Sequence, residues 1–166
     1  MSLKENDIVL ENLEEIKETT PTKAMVSQQT TQSIAQFDPE ADIAQGQKAA
    51  KALMKVVEIT KPLKLNGKTY LYFEHWQTMA KFFRMTVGIE WVKPLPNGFE
   101  AKAVVYQNGV VVGGAEASCM KDEPNWKSKP EFQLKSMAQT RAMSKALRSI
   151  LGYIPVLAGI EATPAE

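Results

Sequence analysis

Cysteine and histidine are nearly missing from this chain, which holds one of each, Cys119 and His75, in 166 residues. A single cysteine closes no internal disulfide, which fits a reducing compartment. A structural zinc site takes about four Cys or His ligands, and a Ser/His/Asp or Cys/His triad would rest on His75 alone, so neither chemistry is supported. No apolar run approaches the roughly 18 residues that span a bilayer. Met1 to Thr20 is acidic and lacks the apolar stretch of a secretory signal. The expectation is a cytoplasmic protein with no membrane partner.

Acidic charge is scarce where basic charge is dense. Residues 1–46 hold three lysines against nine acids and carry −6, residues 47–156 hold 17 Lys and Arg against eight acids and carry +9, and the last ten residues carry −2. A net charge of +1 thus conceals a basic body between acidic ends, and such a body suits a polyanion. The length allows one domain plus tails, and 44% hydrophobic with 23% charged residues is a globular composition. We divide the chain into a flexible acidic N-terminal segment (1–36), an α+β nucleic-acid-binding domain (37–156) and a C-terminal tail (157–166).

Residues 1–20 have the makings of a short acidic helix carrying Val9, Leu13 and Ile16, followed by a polar stretch without period. At Asp38-Pro39-Glu40 a helix start is clear: an N-cap, a proline at the first helical position and an acid in the first turn. Ile43, Ala50, Leu53, Met54 and Val57 form the expected buried stripe, and Lys48, Lys51 and Lys55 a basic one on another face. Asn66-Gly67 predicts a two-residue hairpin. "FEHWQTMAKFF" follows as a short helix with Trp76 in the core and His75 hydrogen-bonded or exposed rather than catalytic. Three strands come next, parted by Pro96-Asn97-Gly98 and Asn108-Gly109. In the middle one Phe99, Ala101, Ala103 and Val105 face one way, and Gly113-Gly114 marks a bulge or close approach in the third. The fold class is α+β: an antiparallel β-meander with helices packed on one face and a long basic helix after the meander.

That helix, "KSMAQTRAMSKALRSILG", sets Arg141, Lys145 and Arg148 within roughly 60° of each other at about 100° per residue. Met143, Ala146, Leu147 and Ile150 point the opposite way, while Leu134 and Met137 share the cationic side and call for cover from another subunit or the N-terminal segment. The basic face is either a solvated surface or a phosphate track. The preceding loop holds Trp126, Lys127, Ser128 and Lys129, an aromatic among cations of the kind that stacks on bases for about 1 to 3 kcal/mol, unless Trp126 folds back onto the sheet. A Mg²⁺-dependent nuclease using Glu90, Glu100 and Lys102 is a rival, since paired carboxylates hold the metal and a lysine positions water; yet no Asp lies between Asp42 and Asp122 to complete such a set.

"FEHWQTMAKFFRMTVGIEWVKP", "NWKSKPEFQLKSMAQTRAMSKALR" and the closing "AGIEATPAE" resemble a group of phage and prophage proteins, over about residues 66–166. A meander followed by a long basic helix is similar to the core of the single-strand annealing superfamily of Rad fifty-two, Erf and Sak. The resemblance implies a basic groove for single-stranded DNA between hairpin and helix, and subunits joined into rings or filaments. Carried over by position, it puts Arg141, Lys145 and Arg148 at the DNA backbone, with Lys102, Trp126, Lys127 and Lys129 as neighbours. The expectation is therefore a non-enzymatic, homo-oligomeric protein that binds single-stranded DNA and promotes annealing in phage-type recombination. It would need no cofactor, and a phage or host recombination or replication protein is a possible partner. A protective single-stranded DNA-binding protein without annealing activity is the alternative, and an adaptor whose acidic N-terminus binds a replication partner is a blander one.

Overall fold

The computed structural model describes residues 38–65 and 67–161. The expectations for Val9, Leu13, Ile16 and the rest of residues 1–36 lie outside the described residues, as does the end of the tail beyond Glu161. In chain order the elements are α1 (Pro39–Thr60), β1 (Leu63–Leu65), β2 (Lys68–Tyr70), α2 (Phe73–Phe82), β3 (Met85–Leu95), β4 (Gly98–Gln107), β5 (Val110–Met120), α3 (Glu131–Leu151) and α4 (Tyr153–Leu157). The fold is α+β. Strands β1 and β2 pair as a small hairpin, and β3-β4-β5 form an antiparallel sheet with β4 in the centre.

Each start and turn follows local chemistry. The Asp38 carboxylate accepts the amides of Glu40 and Ala41 at 3.0 and 3.3 Å, satisfying two donors that the first turn of α1 leaves unpaired. Asn108 and Gly109 both take positive φ, 52° and 79°, the two left-handed residues that a tight turn between β4 and β5 requires. Helix α3 begins at Glu131, four residues before the expected Lys135, because the chain after Pro130 is already helical. After α3, Tyr153–Leu157 form a further short helix, α4, which ends on the first residue of the expected tail.

One face of the sheet carries Ala101, Ala103 and Val105, all fully buried, and α3 lies across it. The helix meets the sheet through Leu134, Ala138, Ala142 and Ala146, four residues apart and 1% exposed or less. Small side chains let the helix axis approach closely. Leu134, expected to wait for a partner's cover, is therefore covered by its own domain. Helix α2 packs beside α3, and α1 packs on α2 and α4. On α1 the buried set is Gly46, Ala49, Ala50, Leu53 and Val57. Ile43, expected in that stripe, is 51% exposed, and Met54 is half-buried. At Gly46 α1 is closely covered, since an added Cβ would sit 2.8 Å from the Tyr153 ring. No helix among the described residues is long and apolar enough to cross a membrane.

Two bulges adjust the register. Ile89 pairs with Ala103 and Trp91 with Lys102, so Glu90 is an extra residue on β3. On β5 the extra residue is Val112, between Val111 opposite Tyr106 and Gly113 opposite Val105. The third-strand irregularity expected at Gly113-Gly114 is thus divided: the bulge sits at Val112, and Gly113 provides a close approach to Ile150.

Candidate nucleic-acid interface

The cationic face of α3 lines a groove of about 760 Å³. Met137, Arg141, Ser144, Lys145 and Arg148 form one wall, Tyr70 at the end of β2 and Leu71 after it with Phe73 and Trp76 of α2 form the other, and Pro155 and Ile160 close the end. The groove is cationic along α3 and largely aromatic and apolar opposite it, with Glu161 also in its lining. Three of the seven candidate residues, Arg141, Lys145 and Arg148, come together here.

Two of those cations also serve the sheet. Arg141 Nη1 donates to the Ser118 carbonyl at 2.8 Å, and Lys145 Nζ donates to the Glu116 carbonyl at 3.3 Å. Strand β5 is an edge strand, and alternate carbonyls along an edge lack a ladder partner. The α3 cations satisfy two of them and cover that half of the edge. Arg141 is further engaged by Glu123, whose carboxylate accepts from Nη1 at 2.7 Å and from Nη2 at 2.5 Å. The same carboxylate accepts the Met120 amide at 2.7 Å. Hydrogen bonding from Arg141 holds the Glu123 carboxyl well below the usual range, at about 2, against an opposing effect of burial. Arg141 is correspondingly pushed up, first by that hydrogen bond.

The loop between β5 and α3 is built on Glu123. Its carbonyl accepts the amides of Trp126 and Lys127 at 2.8 and 3.2 Å. Trp126 is half-buried against the core, with the Arg141 guanidinium 5.9 Å from its ring centroid. Trp126 thus packs partly against the core and keeps part of its ring exposed. Lys127 and Lys129 are exposed on this loop, beside the groove and not among its lining residues.

Lys102 does not join the cluster. Alternation along β4 turns Ala101 and Ala103 toward α3 and Lys102 to the opposite face, where its ammonium lies 2.9 Å from Glu90. That hydrogen bond raises the Lys102 pKa. The same pairing bears on the nuclease alternative: Glu90 stands on a bulge tied to Lys102, and among the described residues no group of three His, Cys, Asp or Glu converges as metal ligands would.

Sequence reasoning missed the opposite wall. Trp76 reads correctly as core at 8% exposure, yet it borders the groove, as do Tyr70, Leu71 and Phe73. The hairpin was legible, but that its end borders the same groove as α3 depends on tertiary packing. His75 is buried and hydrogen-bonded: its Nδ1 accepts the Tyr72 amide at 2.8 Å, and Nε2 meets the Thr60 hydroxyl at 2.7 Å. Cys119 is buried in the core, and burial raises its thiol pKa, which makes it a packing residue. Compared with protein-family models, curated proteins and solved structures, the chain matches none.

Proposed function

We propose that this protein binds single-stranded DNA in the groove beside α3 and promotes the annealing of complementary strands. The observation that carries the reading is the alignment of Arg141, Lys145 and Arg148 along one wall of a groove whose other wall is aromatic and apolar. Single strands are held by that combination, in which cations neutralise phosphates and apolar or aromatic surface meets the bases. Lys127 and Lys129 extend the positive surface beyond the groove. The mechanism is electrostatic and geometric, with no bond made or broken: the strand is held extended and unpaired until it meets its complement.

Fluorescence anisotropy of a labelled poly-dT oligonucleotide tests binding, with wild type compared to a Lys145→Ala, Arg148→Ala double variant. Wild type is expected to bind at low salt and weaken steeply as salt rises, and the double variant to lose about 1.4 in the slope of log K against log salt, about 0.7 for each phosphate. No binding by wild type at low salt overturns the reading. Annealing is then followed with labelled complementary strands.

The apolar lining at Leu71, Phe73 and Met137 favours a second reading, protection without annealing. Bases turned onto that lining would be withheld from a partner strand. Permanganate oxidation of thymines in the bound strand separates the two: reactive thymines support annealing, and protected ones support a protective role.

A further inference from the structure

Resting on the single-stranded DNA reading, we infer that Glu123 is an internal competitor for the phosphate site of Arg141, so that this cation becomes available to DNA only when its carboxylate is displaced. A guanidinium recognises carboxylate and phosphate with the same planar fork, two parallel hydrogen bonds to two oxygens. In this protein that fork is filled: Glu123 takes Nη1 and Nη2 at 2.7 and 2.5 Å. The pair is not sealed in the core. Side-chain exposures are 35% for Arg141 and 30% for Glu123, and Arg141 lines the groove.

The arrangement around the pair makes displacement feasible without unfolding the loop. Glu123 is anchored independently through its main chain, whose carbonyl accepts the amides of Trp126 and Lys127. Arg141 keeps a second hold on the sheet through the Ser118 carbonyl at 2.8 Å. A phosphate arriving along α3 would therefore exchange one anion for another on a guanidinium that stays in place. The consequence is a gap in the cation row: in wild type a strand held at Lys145 and along the groove gains little from Arg141 while Glu123 occupies it, and the contact is added when the carboxylate is displaced or its charge removed.

The test is the salt dependence of poly-dT binding by Glu123→Gln. Glutamine keeps an acceptor for Arg141 and for the Met120 amide but removes the competing charge. Binding at low salt is expected to tighten roughly two- to fivefold, the range of a partly exposed ion pair. The slope of log K against log salt is expected to steepen by about 0.7, one more phosphate contact on a single strand. In the Glu123→Gln, Arg141→Gln double variant the added slope should disappear. Glu131→Gln removes the same charge from the first turn of α3, where the carboxylate is not paired with Arg141, and should leave the slope unchanged.

Thermal melting confirms that the variants are folded, and a lower melting temperature with an unchanged slope would assign Glu123 to loop stability and overturn the competitor role. An equal steepening in Glu131→Gln, or one that survives loss of Arg141, would overturn it too by tracing the effect to net charge. Failure of wild type and Glu123→Gln alike to bind at low salt would instead remove the single-stranded DNA reading on which the inference stands.

Discussion

At the scale of single residues, His75 gives the cleanest expectation, because it is the only histidine in the chain. With Nδ1 accepting from the Tyr72 amide, the ring proton of the neutral form lies on Nε2 and is donated to Thr60, whose hydroxyl in turn donates to the Val56 carbonyl at 2.9 Å. Protonating Nδ1 would set two donors against each other. Burial accordingly lowers the His75 pKa, partly opposed by Glu74. An unfolded chain takes up this proton from pH 6.5 downward and the folded one only at lower pH, so stability is full above 6.5 and falls as pH drops from there toward the lowered value. Urea midpoints are expected to fall between pH 7.5 and 5.5 in wild type and to change much less in His75→Asn. Two glycines provide a second, graded test. A Cβ on Gly98 would lie 2.2 Å from the Cys119 carbonyl oxygen, which belongs to a paired strand, whereas on Gly113 it would meet the tip of Ile150 at 2.7 Å. A side-chain tip can turn aside and a ladder carbonyl cannot. Gly113→Ala should therefore cost about 1 kcal/mol and Gly98→Ala about 3, read as the difference in unfolding free energy from urea titrations.

At the scale of elements, two helix ends carry residues that glycine would suit better. Lys61 caps α1 at φ 49°, and Arg84 follows α2 at φ 54°. A left-handed conformation costs a side chain about 1 to 2 kcal/mol, and glycine gives back about 0.5 to 1 as chain entropy. Lys61→Gly is thus expected to raise stability by up to about 1 kcal/mol, seen as a higher urea midpoint with an unchanged m-value. The elements themselves were largely legible: the Asp38-Pro39 start, the Asn108-Gly109 turn and the alternation Phe99, Ala101, Ala103, Val105 each rest on chemistry confined to a few neighbours. The bulges were not. Glu90 lets Ile89 and Val92, three residues apart, both turn toward the core, an arrangement that breaks simple alternation and leaves no mark in composition. Arg141 was legible as a cation on the right face, but its engagement with Glu123 was not, because 18 residues and a turn of the chain separate them. Lys102 shows the converse: its position two-faced from Ala101 and Ala103 was already in the strand pattern, and the resemblance alone drew it toward α3.

At the scale of the whole molecule, the two halves of the β5 edge are treated differently. The second half of β5 has its outward carbonyls at Glu116 and Ser118 taken by Lys145 and Arg141. Its first half projects Val110, Val111 and Val112 at 64%, 54% and 42% exposure, next to Tyr106 at 40%. From Tyr106 to Ala115 the chain contains no charge. A two-fold contact needs only a self-complementary patch, and an uncharged apolar tip meets its own copy without any charge to pair, whereas it offers nothing to complement a charged partner. The Val112 bulge bends the strand and disfavours a long continuous ladder between edges, which points to side-chain contact between valines rather than extended strand pairing. Sedimentation equilibrium is expected to show concentration-dependent self-association in wild type that Val111→Lys abolishes without changing the circular dichroism spectrum. Because Val111 is not among the groove-lining residues, the lysine variant should bind short poly-dT with unchanged affinity and lose only the gain that longer strands draw from contacting two linked copies. Association that survives Val111→Lys would move the contact elsewhere on the surface, and a monomer at all concentrations would leave each groove to act alone.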